Sequence, residues 1–559
     1  MQTSNYNESD LEKAVLDWLR GLGWEVKFGS ELDVVERVNL GEVVLGERLR
    51  MAVGKINPNI PAEAREEAVK KVLNVSHSSL DLVEANHLFH RMLVDGVDVE
   101  YRREDGSTAG VKVYLADFSN TNNNDWLAVN QFTVIENRIN RRPDLVLFLN
   151  GLPVAVFELK NPADENAGIK GAFNQIQTYK KEISNLFVFN EICVLADQIK
   201  NALAGTAFAD FDRFMGWKSI DGGEVAHLND LEILIKGMFD RERFLDLTRN
   251  FIVFETEKDT RNARERLNKK IAAYHQYFAT NKAIESTLRA AADPASAQGF
   301  GEARPESMVR ENPKAYGLAS ADSQPKGDRR AGVVWHTQGS GKSLTMVFYA
   351  GKLIQAMDNP TLVVLSDRND LDGQLFGVFS NCSEIIRQTP RQAENREHLK
   401  QLLSVASGGV VFTTIQKFFL TEKSGFLGKI AGGFSKKKYP QLSDRRNIVV
   451  IADEAHRSQY DFIDGFARNM RDALPNATFI GFTGTPIELS DKNTRAVFGE
   501  YADIYDLSRS VEDKATVPIY YEARLAKIDL LKGITPKIDQ EFEELTEGEE
   551  TEKVEKLKS

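Results

Sequence analysis

The sequence predicts an α/β protein of several domains, in which a doubly wound parallel sheet follows a first, mixed region. Short segments of alternating hydrophobicity extend to about residue 255, and β-branched runs separated by helical segments follow Gly332. Apolar runs of the second kind are typical of parallel strands that helices bury on both faces. At about 150 residues per domain, the 559 residues have room for about three to four domains.

Composition excludes several classes of protein. Hydrophobic residues make up 42% of the chain, which has two cysteines and 16 prolines, so general disorder, collagen and a disulfide scaffold are ruled out. We find no signal peptide and no run of about eighteen apolar residues that would span a membrane. Cys193 and Cys382 have no partner at metal-site spacing, which predicts a reducing, cytoplasmic location.

The net charge of -11 opposes nucleic-acid binding, which calls for clustered Lys and Arg. Ile538–Ser559 holds nine acids and three lysines, or -6, which leaves only -5 for the preceding 537 residues. Such an end is typical of a solvated helix or a disordered tail. The charge therefore does not exclude DNA as a partner.

The first region, residues 1–255, begins with an amphipathic helix, predicted from the spacing of Leu11, Val15, Trp18 and Leu19. Its strands are predicted at Val111–Tyr114, Leu145–Leu149 and Val154–Leu159. A more helical stretch, Glu257–Ala291, comes next, followed by a loop or insertion rich in Ala, Gly, Pro and Ser, Ala292–Gly332. The second region, residues 256–505, contains the buried parallel strands VVW, TLVVLS, GVVFTT, NIVVIADE and ATFIGFTGT.

A glycine-containing loop, HTQGSGKS, directly follows the first of these strands. A nucleoside triphosphate requires converging backbone N–H groups, a lysine for its β and γ oxygens, and a hydroxyl on its magnesium ion. Lys342 supplies the charge and Ser343 the magnesium ligand, although His336 stands where the usual pattern has its first glycine. The loop predicted to bind ATP comprises Thr337, Gln338, Gly339, Ser340 and Gly341, followed by Lys342 and Ser343.

Paired acids, Asp453 and Glu454, end the strand NIVVIADE, where a parallel sheet presents its ligand site. Asp453 would hold Mg²⁺ through water, and Glu454 would orient the water that attacks the γ-phosphate. The alternative is that both acids only cap the next helix. His456 is either an interior histidine or a relay.

Three further segments, Asp367–Asp372, Thr413–Gln416 and Phe482–Pro486, end strands at the same predicted edge. The order of all these motifs resembles the first RecA-like domain of superfamily 2 helicases and translocases. In that resemblance Tyr274-His-Gln276 lies where the adenine would be contacted, with Gln276 as the adenine ligand. The alternative for this trio is a helix face packed on the core.

A second constellation lies in the first region, where Arg141–Lys160 reads as a hairpin with charged groups at one end. Glu158 and Lys160 share one face of an otherwise apolar strand, and burying them unpaired would cost several kcal/mol. Asp144 and Glu158 can bind Mg²⁺, while Lys160 can orient a nucleophile. A strict two-residue turn at Asn150-Gly151 would point the carboxylates to opposite faces, so a shared metal requires a three-residue loop or a one-residue bulge.

The spacing PD…ExK resembles the PD-(D/E)xK nuclease superfamily. Gln175 and Tyr179 form a QxxxY pair on one face of the following helix, near DNA. Glu136, expected on a preceding helix, would add a metal contact. A salt bridge inside a nonenzymatic fold is the alternative.

Together, the nuclease-like and motor-like halves resemble the restriction (R, or motor) subunit of type I restriction-modification enzymes. The segments that carry this are Phe118–Thr133, Gly332–Ser343 and Asp453–Gln459. The resemblance implies a bacterial or archaeal complex with methyltransferase (M) and specificity (S) subunits, in which ATP drives pumping of double-stranded DNA and cleavage follows at a distance. It makes Lys342, Ser343, Asp453 and Glu454 the ATPase residues and Asp144, Glu158 and Lys160 the nuclease triad.

The family continues into a second RecA-like domain, of which residues 506–559 would be only the truncated start. We therefore expect a fragment or a naturally truncated subunit, defective in translocation by itself. Two alternatives remain open. One is a type III-like or repair nuclease-helicase, and the other is an inactive remnant that only occupies DNA or partner proteins.

Overall fold

Two β-sheets form the framework of the protein. The computed structural model describes residues 8–103, 105–160, 168–198, 201–223, 228–258, 265–293, 324–366, 369–418, 440–455, 466–485 and 496–517. Residues 1–516 form one compact unit, and residues 517–559 are a second unit. The acidic end Ile538–Ser559 lies outside the described residues.

The strands of the first half are short and strongly apolar where they lie centrally. They are β1 (Glu25–Phe28), β2 (Val97–Arg102), β3 (Thr108–Val113), β4 (Trp126–Asn130), β5 (Val134–Glu136), β6 (Ile139–Arg141), β7 (Leu145–Leu149), β8 (Leu152–Leu159), β9 (Ile192–Gln198) and β10 (Asn201–Gly205). A mixed sheet has the order β1-β4-β7-β8-β9-β10, whereas β2–β3 and β5–β6 are separate two-stranded hairpins. Every residue of β7 and β8 is buried, which explains why their sequence is a nearly continuous apolar run.

Helices cover this sheet. They are α1 (Glu8–Gly21), α2 (Gly46–Ile56), α3 (Ala62–Asn74), α4 (Leu82–Asp95), α5 (Ile169–Glu182), α6 (Ser184–Val188), α7 (Asp230–Met238) and α8 (Arg241–Asn250). The predicted amphipathic helix is confirmed as α1, with Leu11, Val15 and Leu19 buried. The three predicted strands are also confirmed, with boundaries shifted by up to three residues.

The stretch predicted as helical, Glu257–Ala291, is only partly so. It contains the hairpin β11 (Ile252–Lys258) and β12 (Glu265–Ile271) before α9 (Tyr274–Ala291) begins. The prediction was wrong for β12 because its charged composition suggests a helix, while tertiary contacts decide its structure. Lys269, fully buried, donates to Glu191 Oε2 over 2.6 Å and to the carbonyl of Asn190 over 2.9 Å.

The second half contains the predicted parallel sheet. Its strands are β13 (Arg330–His336), β14 (Thr361–Ser366), β15 (Arg391–Gln392), β16 (Val410–Thr414), β17 (Ile448–Ala452), β18 (Thr478–Thr483) and β19 (Tyr501–Tyr505), in the order β15-β16-β14-β17-β18-β13-β19. All neighbouring pairs are parallel. The described helices here are α10 (Lys342–Ala356), α11 (Asn369–Asn381), α12 (Ser383–Ile386), α13 (Arg396–Leu403), α14 (Phe466–Ala473) and α15 (Leu507–Glu512).

The five predicted strands therefore lie side by side, and their carboxyl ends share one edge of the sheet. Strand β13 already begins at Arg330, inside the expected loop Ala292–Gly332, most of which lies outside the described residues. Among the described residues, no helix combines the length and the apolar character needed to cross a bilayer. Cys193 and Cys382 are buried free thiols.

Candidate functional site

A one-residue bulge brings two carboxylates together at the end of the β7–β8 hairpin. The turn at Asn150-Gly151 has two residues, both with positive φ, so the bulge, and not a longer loop, shifts the register. Leu145 pairs with Phe157, which places the preceding residue, Asp144, opposite Glu158. Of the two arrangements predicted to let these carboxylates share a face, a three-residue loop or a one-residue bulge, the structure contains the bulge.

Both carboxylates are buried: Asp144 is 7% exposed and Glu158 is 2% exposed. The backbone N–H of Leu159 donates to Asp144 Oδ2 over 2.7 Å, and Lys160 Nζ donates to Glu158 Oε1 over 2.5 Å. Burial, and then the neighbouring charge of Glu158, raise the pKa of Asp144 to about 8. Two buried carboxylates that resist joint ionisation are an electrostatic setting that favours an added cation.

Helix α5 contributes the predicted QxxxY pair to the same place. Burial raises the pKa of the Tyr179 hydroxyl, as do the nearby carboxylates of Glu158 and Asp144 and a hydrogen bond to Glu158. Gln175 hydrogen-bonds the same hydroxyl. The tertiary structure thus joins Asp144, Glu158, Lys160, Gln175 and Tyr179 in one site.

The glycine-containing loop joins β13 to α10 at the carboxyl edge of the parallel sheet. Gly339 and Gly341 have φ values of +86° and +87°, a conformation that other residues adopt only with strain. Gly341 is the N-cap of α10, so Lys342 and Ser343 occupy its first turn, where N–H groups lack intrahelical partners. This geometry suits an anion such as a phosphate.

Lys342 faces the paired acids across the edge of the sheet. Its Nζ lies 2.7 Å from Asp453 Oδ1 and 2.7 Å from Glu454 Oε1. Glu454 adopts a φ of 50°, a left-handed conformation that is uncommon for a residue other than glycine. The capping alternative for Asp453 and Glu454 concerns residues 456–465, which lie outside the described residues.

The start of α9 packs against this loop. Gln276 Nε2 donates to the carbonyl of Gly341 over 3.1 Å, and the ring of His275 lies 2.9 Å from the carbonyl of Ser340. His275 also stacks on Tyr505, with ring centroids 4.0 Å apart. Burial lowers the pKa of His275 to about 3, so the ring is neutral. Gln276 is thus held at the loop by its contact with the backbone.

The residue that replaces the usual first glycine, His336, is completely buried. Its Nε2 lies 3.2 Å from Asp503 Oδ2, and Lys282 Nζ lies 2.9 Å from Asp503 Oδ1. The imidazole therefore links the loop to β19 and α9, which a glycine could not do. Thr337 adds a backbone hydrogen bond to the carbonyl of Tyr505 over 3.0 Å.

Other predicted residues at this edge are only partly described. Thr483 ends β18, and its hydroxyl donates to the carbonyl of Thr485 over 3.0 Å. Thr413 and Thr414 end β16 and are buried. The predictions that concern Asp367, Arg368, His456 and Pro486 fall outside the described residues, as does the side chain of Gln416.

Comparison with known proteins gives a family match for each half. Residues 275–555 match the family model "SWI2/SNF2 ATPase", and residues 5–211 match "Type I restriction enzyme R protein N terminus". The chain is 45% identical to the type I restriction enzyme HindI endonuclease subunit of Haemophilus influenzae, over 92% of this chain and 46% of that one. The chain belongs to the type I restriction endonuclease-subunit family.

A second relative comes from Methanocaldococcus jannaschii and is named as the MjaIXP endonuclease subunit of a type I restriction enzyme. It is 35% identical over 96% of this chain and 48% of its own length. The Hef helicase domain of Pyrococcus furiosus is a solved structure with 18% identity, 31% coverage of this chain, 34% coverage of its own and a TM-score of 0.22. The chain spans about half the length of these curated relatives.

A third carboxylate near the site, Glu12, was not predicted from the sequence. It accepts hydrogen bonds from Asn130 Nδ2 over 2.7 Å and from Gln131 Nε2 over 3.0 Å, and its charge contributes to the raised pKa of Asp144. The signal was available in α1, because Glu12 lies four residues before the buried Leu16, on the apolar side of the helix.

Glu136 was predicted incorrectly. It lies at the end of strand β5, not on a helix. Its Oε1 accepts from Ser184 Oγ over 2.8 Å and its Oε2 from the N–H of Asn185 over 3.1 Å. Its carboxylate is therefore committed to the start of α6, in place of the metal contact that we expected.

Proposed function

We propose that this chain is the nuclease and ATP-dependent DNA translocase part of a type I restriction enzyme. The observation that carries the proposal is the presence of two separate charged sites on two sheets. Asp144, Glu158 and Lys160 form one, and Lys342 with its two acids forms the other. We assign residues 1–255 to a PD-(D/E)xK nuclease domain, 256–505 to a RecA-like ATP-binding domain, and 506–559 to the start of a second RecA-like domain.

Asp144 and Glu158 would hold Mg²⁺ at the nuclease site. Among the described residues, no three or more His, Cys, Asp or Glu side chains cluster to bind a metal. Mg²⁺, however, is usually held by one or two carboxylates together with water and substrate phosphates, and the burial of this carboxylate pair with its raised Asp144 pKa supports a bound cation. Bound Mg²⁺ would activate water and stabilise charge on the phosphate.

The chain's own residues then have distinct tasks in DNA cleavage. The N–H of Leu159 orients the Asp144 carboxylate, and Lys160, fixed on Glu158, orients the attacking water. Gln175 and Tyr179 lie on the DNA side, where the Tyr179 hydroxyl also holds Glu158 in position. These tasks require a fixed strand register, which the bulge provides.

At the second site, the loop from Thr337 to Ser343 would cradle the phosphates of ATP, and Gln276 would contact the adenine. Lys342 would bind the β and γ oxygens, and the Ser343 hydroxyl and Asp453 would hold the magnesium ion. Glu454 would orient the attacking water. The contact of Lys342 with Asp453 and Glu454 supports this proposal, because it shows that the two acids hold positive charge at the edge of the sheet.

The proposed partners are double-stranded DNA and the M and S subunits of the same enzyme. Its DNA substrate places the complex in the cytoplasm of a bacterium or archaeon. Co-purification of this chain with M and S subunits tests this assignment against a type III-like or repair nuclease-helicase. Assembly of an active enzyme without those subunits would favour the alternative.

The two-site proposal is tested with single substitutions in the assembled enzyme. Asp144→Ala and Glu158→Ala should abolish Mg²⁺-dependent cleavage of a plasmid and leave ATP hydrolysis intact. Lys342→Ala should abolish ATP hydrolysis, pumping and cutting. Loss of ATP hydrolysis in Asp144→Ala would contradict separate sites, and retained cleavage in Glu158→Ala would support the inactive-remnant alternative for the nuclease half.

A further inference from the structure

A small hairpin stands at the rim of the carboxylate site. Strands β5 and β6 form a two-stranded sheet of their own, inserted between β4, which ends at Asn130, and β7, which follows Asp144. The N–H of Gln131 donates to the carbonyl of Asp144 over 2.8 Å. The two ends of the insertion therefore meet beside the buried carboxylates.

Both strands of this hairpin are anchored, β6 at the base by Arg141 and β5 next to the turn by Glu136. Glu136 of β5 accepts hydrogen bonds from Ser184 and Asn185, and Arg141 of β6 pairs with Glu182. All three partners belong to α5 or α6, which pack beside the site. Residues 137–140, which are the turn and the first two residues of β6, are exposed to solvent.

The tip contains an arginine where the backbone favours glycine. Asn137 and Arg138 have φ values of 50° and 67° and connect the pair Glu136–Ile139, an arrangement that corresponds to a type I′ turn, most often Asn-Gly. An arginine in this conformation carries a steric penalty. Arg138 makes no hydrogen bond or ion pair with any residue that the structure describes, so no visible intramolecular contact offsets that penalty. A residue whose backbone conformation does not suit its side chain is expected where that residue serves a function.

A second exposed arginine, Arg142, lies between the hairpin and Asp144. It likewise has no ion pair with the described part of the chain. The negatively charged phosphates of a DNA backbone that approaches Asp144 and Glu158 would be repelled by the two carboxylates unless positive charge lay nearby. Arg142 lies two residues before Asp144, and Arg138 lies at the turn of the hairpin whose ends meet beside Asp144, so both can provide such charge.

We propose that the exposed turn of the β5–β6 hairpin contacts duplex DNA and that Arg138 binds a backbone phosphate, which positions the duplex over the carboxylates. A phosphate contact carries no sequence information, which suits cleavage away from a recognition sequence. The inference rests on the proposed nuclease function and adds to it the element that positions the substrate.

Arg138→Gly is the decisive variant, because glycine relieves the backbone penalty while it removes the charge. The full chain is titrated against a fluorescent duplex of about 30 base pairs, and EDTA is present so that no cleavage occurs. We expect binding to weaken about tenfold and the dependence of log K on log salt to fall by about one unit. Thermal stability should stay equal or rise. Arg103→Ala, at the exposed turn of the β2–β3 hairpin, is the control with the same change in charge.

Three outcomes would overturn the hairpin assignment: unchanged binding in Arg138→Gly, an equal loss in Arg103→Ala, or a loss in Arg138→Gly with no change in the salt dependence. Failure of the nuclease proposal is distinguished by a separate measurement. If the wild-type enzyme shows no Mg²⁺-dependent cleavage, the nuclease function is wrong, while the comparison of the two binding constants still decides whether the hairpin contacts DNA.

Discussion

Lys342 Nζ lies 2.7 Å from Glu454 Oε1, and Glu454 reaches this position in a left-handed backbone conformation with a φ of 50°. A non-glycine residue in this region costs about 1–2 kcal/mol. The backbone therefore bears a cost at the residue to which we assign the orientation of the attacking water.

Glu454→Gly should separate the backbone cost from the chemistry. Glycine accepts the positive φ, so we expect the melting temperature to stay equal or rise, while ATP hydrolysis falls at least about 100-fold because no carboxylate orients the water. Glu454→Gln is the matched variant that keeps the strain, and it should lose hydrolysis without a gain in stability. ATP turnover in Glu454→Gly near the wild-type rate would contradict the role assigned to this carboxylate.

Asp144→Asn should stabilise the protein, and more so at high pH. The pKa of the Asp144 carboxyl rises from 3.8 to about 8 on folding, chiefly through burial and then through Glu158. The folded state therefore binds the proton more tightly, and this group makes stability fall as pH increases from about 4 to about 8. Asparagine does not titrate, so its melting temperature should exceed that of the wild type by about 2–4 °C at pH 8 and by less at pH 5.

Magnesium supplies the control for that experiment. Mg²⁺ should raise the melting temperature of the wild type at pH 8 by binding the carboxylate pair, and it should have a smaller effect on Asp144→Asn. An equal gain from the substitution at pH 5 and pH 8 would contradict the raised pKa. An equal response of both proteins to Mg²⁺ would contradict the metal site.

Lys269→Met should destabilise the protein by about 3–5 kcal/mol, because it removes the ammonium group that pairs with the fully buried Glu191. Glu191→Gln combined with Lys269→Met should recover a large part of this loss. The free energy of unfolding from urea titration measures both effects. A double variant as unstable as Lys269→Met would show that packing of the lysine stem, and not the charge pair, holds β12 in place.

Gly481→Ala should disturb the turn that carries Asp453 and Glu454. A Cβ at Gly481 would lie 2.7 Å from the Cβ of Ala455, so we expect a loss of about 1–3 kcal/mol from overpacking and slower ATP hydrolysis. Gly377→Ala, within α11, is the control. A Cβ there has no atom within 4 Å, and the helix should gain up to about 1 kcal/mol. Equal ATP turnover in the two variants would contradict the expected effect on the turn.

Much of the parallel sheet could be predicted from the chain alone. A buried parallel strand must be apolar along its whole length, and the phosphate loop and paired acids follow such strands at their carboxyl ends. These are local properties of the sequence. The strands, and the sheet edge at which Lys342 meets Asp453, could therefore be predicted from the segments VVW, TLVVLS and NIVVIADE. Asp144 and Glu158 can share a face only if the hairpin has a three-residue loop or a bulge. This need also followed from the two-residue period of a strand.

Tertiary structure alone decided the remaining contacts. The sequence did not reveal that β12 is a strand, because Lys269 finds its partner Glu191 far away in the chain. It indicated neither that Glu12 approaches Asp144 nor that Glu136 is bound by Ser184. Local pattern determines which segments become strands and helices, whereas the partner of a buried charge depends on which segments fold against each other. The chain by itself thus determined the two sets of reactive residues, and only the folded structure decided what surrounds them.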